Sequence, residues 1–469
     1  MLTGHHAVAG LASNPAAPSA VLLRVLALDD RWIRYRLKYR AVLPDEVAEA
    51  MLHHPDRDVR AALAESCGAD PALRARLLDG PAADAMLVAV GPQPYRSTAP
   101  ALPDWAYERL LQDERSMVAA ETANSVSIPA HMLTPLAVHP HSFMREAACR
   151  RVWDELSDPV RATLLSDPEP DVRNMAALQV MREDAERTSH LLAAFAGTWR
   201  IMDVAEHGRL TREACEGLLA AGEHLDQLAR NPTLPADLAA VLATHEDPAV
   251  RLAVSARPGL SEQQRAAIDW TVRPEDRLDT LRWVWDARDD PQTLRQCATS
   301  AHTWLRRSAA VIPDLPDDCV QRLAEDEDFA VRLLLAENHP NAPAELLLDL
   351  YLHGTHRAVA MLVSVPGFPT TGLAARFADA PDHRARALAV RDPGASPELI
   401  ERLSRDPDAC VRAAAAGDPR LPVPRLVELL EDPVVGAVAA ANKALPITAM
   451  EALLARAAVP DIGRHTDRE

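Results

Sequence analysis

Large aromatic side chains are scarce in this chain. They make up 4% of its 469 residues, whereas apolar residues as a whole make up 48%. A compact globule of this size normally uses more aromatic anchors in its core. Alanine supplies much of the apolar content, and it suits closely packed helices because it has the highest helix propensity. Since one compact domain is expected to have ~150 residues, the chain predicts either several domains or a repetitive, elongated core.

Positively charged residues are outnumbered by negatively charged ones. The chain has 50 Lys and Arg residues against 68 Asp and Glu residues, a formal net charge of −18. This balance argues against a general nucleic-acid-binding surface, which needs a basic face, although it leaves room for a local basic patch. The only lysines are Lys38 and Lys443, and such a bias toward arginine is typical of a GC-rich genome.

Motifs of metal, cofactor and nucleotide sites are missing. The six cysteines are far apart and form no C-x-x-C pair, so we expect neither a zinc site nor a redox pair. The histidine pairs at 5–6, 53–54 and 139–141 lack the three or four converging ligands of a metal site. No phosphate-binding glycine loop or nucleophile elbow occurs. We therefore predict no cofactor, no metal and no catalytic residue.

The chain also lacks long apolar runs. No segment approaches the ~20 apolar residues of a membrane span, and residues 1–30 have no basic region of the kind that begins a signal peptide. Scattered, reduced cysteines are typical of the cytoplasm. We expect a cytoplasmic protein without a membrane-spanning segment.

Proline, in contrast, is abundant, and its 38 residues recur at intervals without clustering. The clearest segment, residues 228–260, holds two short helical patterns separated by prolines, each with apolar residues at helical spacing. Its Asp247-Pro248 pair predicts a helix start, because the carboxylate accepts free backbone N–H groups and proline lacks the donor that would be unpaired there. The same pair recurs as Asp406-Pro407.

A second recurring mark is an apolar residue followed by arginine and then by small apolar residues. Clear neighbouring copies lie 26 to 28 residues apart, and weaker copies fill the gaps, so that about sixteen units fit between residues 10 and 456. A unit of this size cannot bury its own apolar face, whereas stacked units share a core. We therefore predict an all-α solenoid of about sixteen 26-residue helical repeats.

The recurring arginines lie next to residues that are expected to be buried. We predict that they form a structural ladder in which each guanidinium reaches an Asp or a backbone carbonyl of the adjacent unit. An exposed ion pair contributes only ~0–1 kcal/mol, so many copies are needed. The members of this predicted ladder are Arg60, Arg145, Arg173, Arg251, Arg306, Arg332 and Arg412.

The pattern D-P-x-V-R-x-A-x-x-x-x-P-x-L over Asp247–Leu260 resembles the leucine-rich repeat variant family and, more loosely, HEAT repeats. The resemblance covers nearly the whole chain. It implies a right-handed superhelix of alternating helical segments, and it implies binding without a shared enzymatic activity. Some members of that family resemble iron–sulfur proteins through an N-terminal cysteine cluster. This chain has no such cluster, so the resemblance implies no cofactor here.

Interruptions of the repeat suggest how the chain is divided. Residues 1–182 and 225–458 are expected to form the N-terminal and C-terminal halves of the solenoid. Between them, residues 183–224 lose the proline punctuation, which predicts longer helices or a hinge. Residues 91–100 are rich in proline and glycine and predict an inserted loop, and residues 459–469 predict a flexible tail.

The strongest departure from the repeat is the stretch 31–40, RWIRYRLKYR, with five cations and three aromatic residues. Departures from a local consensus are favoured places for function. We predict a docking site for an acidic partner or a nucleic-acid backbone, with flat aromatic contact surfaces. The alternative is a cap helix whose outer side is polar because it has no neighbour. The candidate residues are Arg31, Trp32, Arg34, Tyr35, Arg36, Lys38, Tyr39 and Arg40.

A second departure is a concentration of tryptophan between residues 270 and 304, where half of the eight tryptophans occur. These rings either fill a wider gap between irregular units or line a concave face as binding anchors. Because two of them are only two residues apart on a predicted helix, they cannot face one surface together. The four candidates are Trp270, Trp283, Trp285 and Trp304.

These features predict a non-catalytic scaffold that holds a protein or peptide partner along the concave face of a solenoid. The alternative is a HEAT-like enzyme or DNA-binding protein, similar to a DNA glycosylase or a bilin lyase, that uses the basic stretch 31–40 and a tryptophan-lined cleft. A third hypothesis is self-assembly through the uncapped ends of the solenoid. Nucleic acid is expected to bind, if at all, at the basic stretch, and the oligomeric state is left open.

Overall fold

All regular secondary structure in the described part of the chain is helical. The computed structural model describes residues 2–28, 30–92, 100–457 and 459, and within them it has 33 α-helices, four 3₁₀ segments and no strand. The predicted all-α class is therefore confirmed. Among these residues no helix has the length and apolar character that a membrane crossing requires. Most of the predicted loop at 91–100 and of the predicted tail at 459–469 lies outside the described residues.

The helices group into two compact units, one from residues 1–160 and 370–469 and the other from residues 161–369. The first part of unit 1 contains α1 (Leu2–Leu11), α2 (Ser19–Leu26), α3 (Arg31–Lys38), α4 (Asp45–Leu52), α5 (Arg57–Ala64), α6 (Pro71–Ala75), α7 (Asp84–Val90), α8 (Asp104–Leu111), α9 (Ser116–Asn124), α10 (Ala130–Leu133) and α11 (Ser142–Val152). Helix α12 (Asp158–Leu164) spans the border. Unit 2 contains α13 (Pro170–Val180), α14 (Ala185–Ala194), α15 (Arg200–His207), α16 (Arg212–Ala221), α17 (Leu225–Arg230), α18 (Ala236–Leu242), α19 (Pro248–Ser255), α20 (Glu262–Ala266), α21 (Arg282–Asp286), α22 (Pro291–Thr299), α23 (Thr303–Ala310), α24 (Asp317–Ala324), α25 (Phe329–Asn338) and α26 (Ala344–His353). The chain then returns to unit 1 with α27 (Leu373–Phe377), α28 (His383–Arg391), α29 (Pro397–Leu403), α30 (Ala409–Gly417), α31 (Val423–Leu429), α32 (Gly436–Ala440) and α33 (Ile447–Arg456). The 3₁₀ segments are Arg76–Asp79, Thr134–Val138, Trp153–Glu155 and Arg357–Ser364.

The helices are short, with four to eleven residues each, because prolines and capping side chains delimit them. Asp247 accepts a hydrogen bond from the Ala249 N–H and Pro248 occupies the first turn of α19, as predicted. The prediction for Asp406 is wrong by two residues, since α30 begins after Asp408, whose carboxylate caps it. The Asp406 carboxylate is held instead by Arg386 and by the backbone of Asp408.

In unit 1 alternate helices pack in series, and the two ends of the chain belong to the same series. One row runs α28, α30, α32, α1, α3, α5, α7, α9 and α11, with each helix packed on the next. A second row places α33 against α2, α2 against α4, and α4 against α6. Helix α1 is therefore covered by α32 and α33, so the first and last helices do not present the uncapped ends that the self-assembly hypothesis requires.

The junction of the chain ends repeats a contact that is found inside the chain. Asn442 donates from its amide to the carbonyls of Ala416 and Asp418, both at 2.8 Å. Asn14 makes the same pair of bonds across the termini, to the carbonyls of Ala440 at 2.8 Å and Asn442 at 2.7 Å. One residue type in one local structure thus links consecutive helix pairs, whether or not the chain between them is continuous.

Arginine takes the place of this asparagine between other helix pairs. Arg40 donates to the carbonyls of Ala12 and Asn14 at 3.1 and 2.8 Å. In unit 2, Asn231 donates to two earlier carbonyls at 2.8 Å, and Arg257 in turn donates to the carbonyl of Asn231 at 2.7 Å. The last carbonyls of a helix have no partner within that helix, so these donors satisfy groups that would otherwise be unpaired.

The arginines of the predicted ladder contact the turn before their own helix as well as residues further along the chain. Each of its seven guanidiniums donates to the carbonyls five and six residues before it, in the turn ahead of its own helix. Several also pair with a later Asp. Arg60 binds the fully buried Asp84 at 2.5 Å, and Arg306 binds Asp326 at 2.7 Å. Each of these guanidiniums therefore closes the turn before its own helix, and those with a later Asp partner also connect that turn to a segment further along the chain.

The segment 183–224 lies entirely within unit 2, whose borders are at residues 160 and 369. It folds into α14, α15 and α16, which have ten, eight and ten residues. These lengths are within the range of the other helices. A second irregular segment, residues 267–281, contains no helix and precedes α21.

Removing the amide at the junction of the chain ends should destabilise the fold. Asn14→Ala leaves two buried carbonyls without their donor, and we expect the free energy of unfolding to fall by ~2–4 kcal/mol, measured by urea denaturation. The matched control is Asn124→Ala. The exposed Asn124 amide bonds only to Ala120 within its own helix, so a change below ~0.5 kcal/mol is expected. Equal effects of the two substitutions would contradict the proposed importance of the junction.

Candidate functional site

Helix α3 separates its apolar side chains into two faces. Ile33 and Leu37, four residues apart, are buried in unit 1. Asp30 caps the helix by accepting a hydrogen bond from the Trp32 N–H at 2.7 Å, which orients the first turn. The buried pair holds the helix in the unit and leaves its aromatic residues on the opposite side.

Three aromatic rings form an exposed row on α3. Trp32, Tyr35 and Tyr39 are 51%, 55% and 58% exposed. Ring centroids are 6.2 Å apart between Trp32 and Tyr35, with an edge-on arrangement, and 4.7 Å apart between Tyr35 and Tyr39. Apolar rings in contact with each other and with solvent form a continuous patch, and such patches commonly mark interaction surfaces.

The ring row forms one wall of a groove of about 640 Å³. The lining also includes residues before and after α3, among them Pro15 and Val42, and Val42 is 72% exposed. The groove is lined by Ser13, Pro15, Trp32, Tyr35, Arg36, Tyr39, Arg40, Ala41 and Val42. We call this the α3 groove. The sequence does not indicate Ser13, Pro15, Ala41 and Val42 as site residues, because they belong to turns and bends without an aromatic or charged side chain of their own.

The cations of the stretch 31–40 have different environments. Arg40 is buried and its guanidinium is occupied by backbone carbonyls, a position that leaves it little capacity for a partner. Arg36 donates to the Ser13 hydroxyl at 3.2 Å. Burial lowers the pKa of Arg36, with partial compensation from Asp30. The groove lining thus contains a half-buried guanidinium that forms no ion pair with a carboxylate among the residues that the structure describes.

The remaining cations lie beside the groove and do not line it. Lys38 pairs with Glu65, and although burial alone would lower the pKa of Lys38, this carboxylate raises it. Arg34 is 3.7 Å from the carboxylate of Asp56. The exposed Arg31 stacks over the Trp32 ring at 5.0 Å. Two of the five cations are therefore already paired with carboxylates of the same unit.

The four tryptophans of the second candidate site lie in unit 2 and differ in burial and in their contacts. Trp304 is 5% exposed and its indole N–H donates to the Asp279 carbonyl at 2.7 Å, so its ring is packed in the interior and is not placed for a partner contact. Trp270 is half-buried and stacks on His302. Trp283 is half-buried and donates to the Ala256 carbonyl at 3.0 Å, and Trp285 is exposed.

His302 is buried beneath Trp270, with 4.0 Å between the ring centroids. One of its ring nitrogens is 2.8 Å from the Ser255 hydroxyl. Burial, assisted by the positive charges of Arg265 and Arg306, lowers the pKa of His302 to about 3. The histidine is therefore neutral at pH 7 and forms part of the packing of this region.

The described residues contain no group of three or more His, Cys, Asp or Glu side chains that could hold a metal ion. Comparisons with protein-family models and with curated proteins found no match. The α3 groove is thus the candidate site, and the case for it rests on its exposed aromatic rings and its volume. Its side chains are of the kinds that form binding surfaces.

His302 should make the protein sensitive to acid. Its pKa in the folded state lies below the ordinary value of 6.5, so the unfolded chain takes up the proton first and stability is lost as the pH falls from ~6.5 to ~3. We expect the wild type to lose about 2 kcal/mol more than His302→Gln between pH 7 and pH 5, measured by urea denaturation. The exposed His190, changed to Gln, is the control and should behave as the wild type. Identical acid sensitivity of the wild type and His302→Gln would contradict this assignment.

Proposed function

We propose that the protein is a non-catalytic, cytoplasmic scaffold that holds an extended acidic peptide segment of a protein partner in the α3 groove. The observation that carries the proposal is the contiguous row of Trp32, Tyr35 and Tyr39. Each ring is more than half exposed in a chain with only 4% aromatic residues. Aromatic residues are enriched at the energetic centres of protein interfaces.

We further propose that the helices form a repeat solenoid of about sixteen 26-residue units, similar to the leucine-rich repeat variant family. The recurring arginine bonds to carbonyls five and six residues earlier support a common unit. Arg306–Asp326 and Arg386–Asp406 share the same separation of 20 residues, which supports a regular offset between units. A repeat fold of this kind presents extended surfaces suited to binding segments of other proteins.

The groove favours a peptide with both apolar and acidic residues. Covering the exposed part of one ring removes on the order of 100 Å² of apolar surface, which contributes ~2 kcal/mol. Three rings contribute ~6 kcal/mol before the cost of ordering the peptide. A net ~6 kcal/mol corresponds to a Kd of ~40 µM, so the rings alone predict a reversible complex that is weaker than this. Carboxylates of the peptide would meet Arg36 in the groove and Arg31 at its edge.

The nucleic-acid alternative has less support. A phosphate backbone is bound mainly by unpaired cations, whereas Lys38 is paired with Glu65 and Arg34 lies near Asp56. Arg40 is buried. The net charge of −18 adds repulsion over the rest of the surface. The residues that line the groove include no set of catalytic side chains, so they give no support to an enzymatic role.

The proposal is tested by selecting peptides from a random library on the full-length chain and measuring their affinities by fluorescence anisotropy. We expect selected peptides to combine Asp or Glu with proline, aliphatic or aromatic residues. Trp32→Ala and Tyr35→Ala should each weaken binding about tenfold. The control is Trp199→Ala, which removes a 73% exposed aromatic ring from unit 2 and should leave the affinity unchanged.

Two results would contradict the proposal. One is selection of the same peptides by a chain that carries Trp32→Ala, Tyr35→Ala and Tyr39→Ala together. The other is binding of mixed-sequence single-stranded DNA at ~50 mM salt, where phosphate contacts are strongest, if that binding is lost in the same variants. The second result would favour the nucleic-acid alternative.

A further inference from the structure

Unit 2 contains a pocket of about 520 Å³ at a place where the repeat is irregular. Its lining includes residues 206–209, at the end of α15 within the segment that lacks proline punctuation. It also includes Leu281, the last residue of the non-helical segment 267–281, and residues of α21, which follows it. Pockets of about 300–1,000 Å³ are of the size that holds a small molecule.

Four arginines line this pocket, and two of them have no acidic partner. Arg230 is bound to Glu206 at 2.7 Å, and Arg282 is bound to Asp286 at 2.7 Å. Arg209 donates only to a backbone carbonyl, that of Glu183 at 3.2 Å. Arg182 is exposed, and neither it nor Arg209 pairs with a carboxylate in the described part of the chain. The pocket therefore has two guanidiniums available for an anion.

The acidic residues that line the pocket already have partners. Glu206 and Asp286 are bound to the arginines just described. Asp290 caps α22, where its carboxylate accepts from the Gln292 N–H at 3.0 Å and from the Thr293 hydroxyl at 2.6 Å. An anion that enters the pocket would thus meet two arginine-paired carboxylates, the helix-capping carboxylate of Asp290 and two guanidiniums without a carboxylate partner. The four arginines outnumber the three carboxylates of the lining, which favours binding of an anion.

The rest of the lining is apolar. The Trp283 ring lines the pocket, and its orientation is fixed by the hydrogen bond from its indole N–H to the Ala256 carbonyl. Pro232, Pro258 and Leu281 contribute further apolar surface. A ligand with an aromatic or aliphatic body would bury that body here, while its charged end lies near the arginines.

We propose that this pocket binds a small organic anion, with its carboxylate or phosphate held by Arg182 and Arg209 and its apolar body against Trp283. Guanidinium groups bind both kinds of oxyanion in bidentate geometry, so the charged group is the shared chemistry. The inference is independent of the peptide proposal, because every residue that lines the pocket belongs to unit 2 and the α3 groove belongs to unit 1.

His207 lines the pocket, and its pKa depends on the charges around it. Burial lowers the pKa of His207, Glu206 and Asp203 oppose this shift, and the positive charges of Arg182 and Arg282 lower the pKa further. An anion bound at the guanidiniums offsets part of that positive potential. Binding should therefore raise the pKa of His207, and this signal is available in the unmodified protein.

The test measures binding of phenyl phosphate and phenylacetate to the full-length chain by titration calorimetry, together with the His207 ring signals by NMR. We expect both probes to bind with a Kd of ~10–100 µM and to raise the pKa of His207. Inorganic phosphate, which lacks the ring, and phenylethanol, which lacks the charge, should each bind at least about tenfold more weakly. The two anionic probes distinguish a phosphate ligand from a carboxylate ligand.

Variants assign the binding to the pocket. Arg182→Gln combined with Arg209→Gln should weaken binding of the better probe about tenfold. The control is Arg277→Gln, which removes an exposed arginine of unit 2 that does not line the pocket and should have no effect. Equal binding of phenylethanol or inorganic phosphate, an unchanged His207 pKa, or equal effects of the variants and the control would overturn the proposal.

Discussion

Backbone carbonyls at helix ends are the groups on which this fold depends. A helix leaves its last four carbonyls without partners, and in helices of four to eleven residues these groups are a large part of the backbone. The chain satisfies many of them with side-chain donors that follow a later helix. Asn14, Asn231 and Asn442 use a carboxamide, whereas Arg40 and Arg257 use a guanidinium.

The same requirement gives a physical reason for the preference for arginine over lysine. A guanidinium has five N–H donors in a fixed plane, whereas an ammonium is a compact charge on a flexible stem. Arg306 donates to the carbonyls of Ser300 and Ala301 and at the same time binds Asp326 through two nitrogens. A lysine could not make this set of contacts. The bias toward arginine thus has a structural use whatever its genomic origin.

The features predicted from the sequence are those with a local cause. Proline spacing and helical periodicity predict the all-α class, and Asp247 caps its helix as its position beside Pro248 predicts. Burial and long-range contacts are harder to predict from the sequence. The Asp406 carboxylate binds Arg386 and does not cap α30. Trp304 lies in the interior, whereas Trp285, from the same group of four candidate tryptophans, is exposed.

Contacts distant in sequence could not be predicted at all. Asn14 and Asn442 are 428 positions apart, and nothing in either sequence neighbourhood indicates that the chain ends meet. The aromatic residues of the α3 groove are indicated by the unusual composition of residues 31–40, whereas the contribution of Pro15 and Val42 to its lining depends on the folded structure. The pocket in unit 2 likewise joins the ends of two irregular segments whose relation only the structure reveals.

The central claim is that α32, near the end of the chain, and α1, at its start, pack as consecutive members of one row. Hydrogen exchange followed by mass spectrometry tests it most directly, with the full-length chain compared with a chain that lacks residues 1–18. The contacts of α1 with α32 and α33 predict faster amide exchange in residues 436–456 of the shortened chain, with little change in α22 to α25. Unchanged protection of residues 436–456 would show that the chain ends do not depend on each other and would contradict the account.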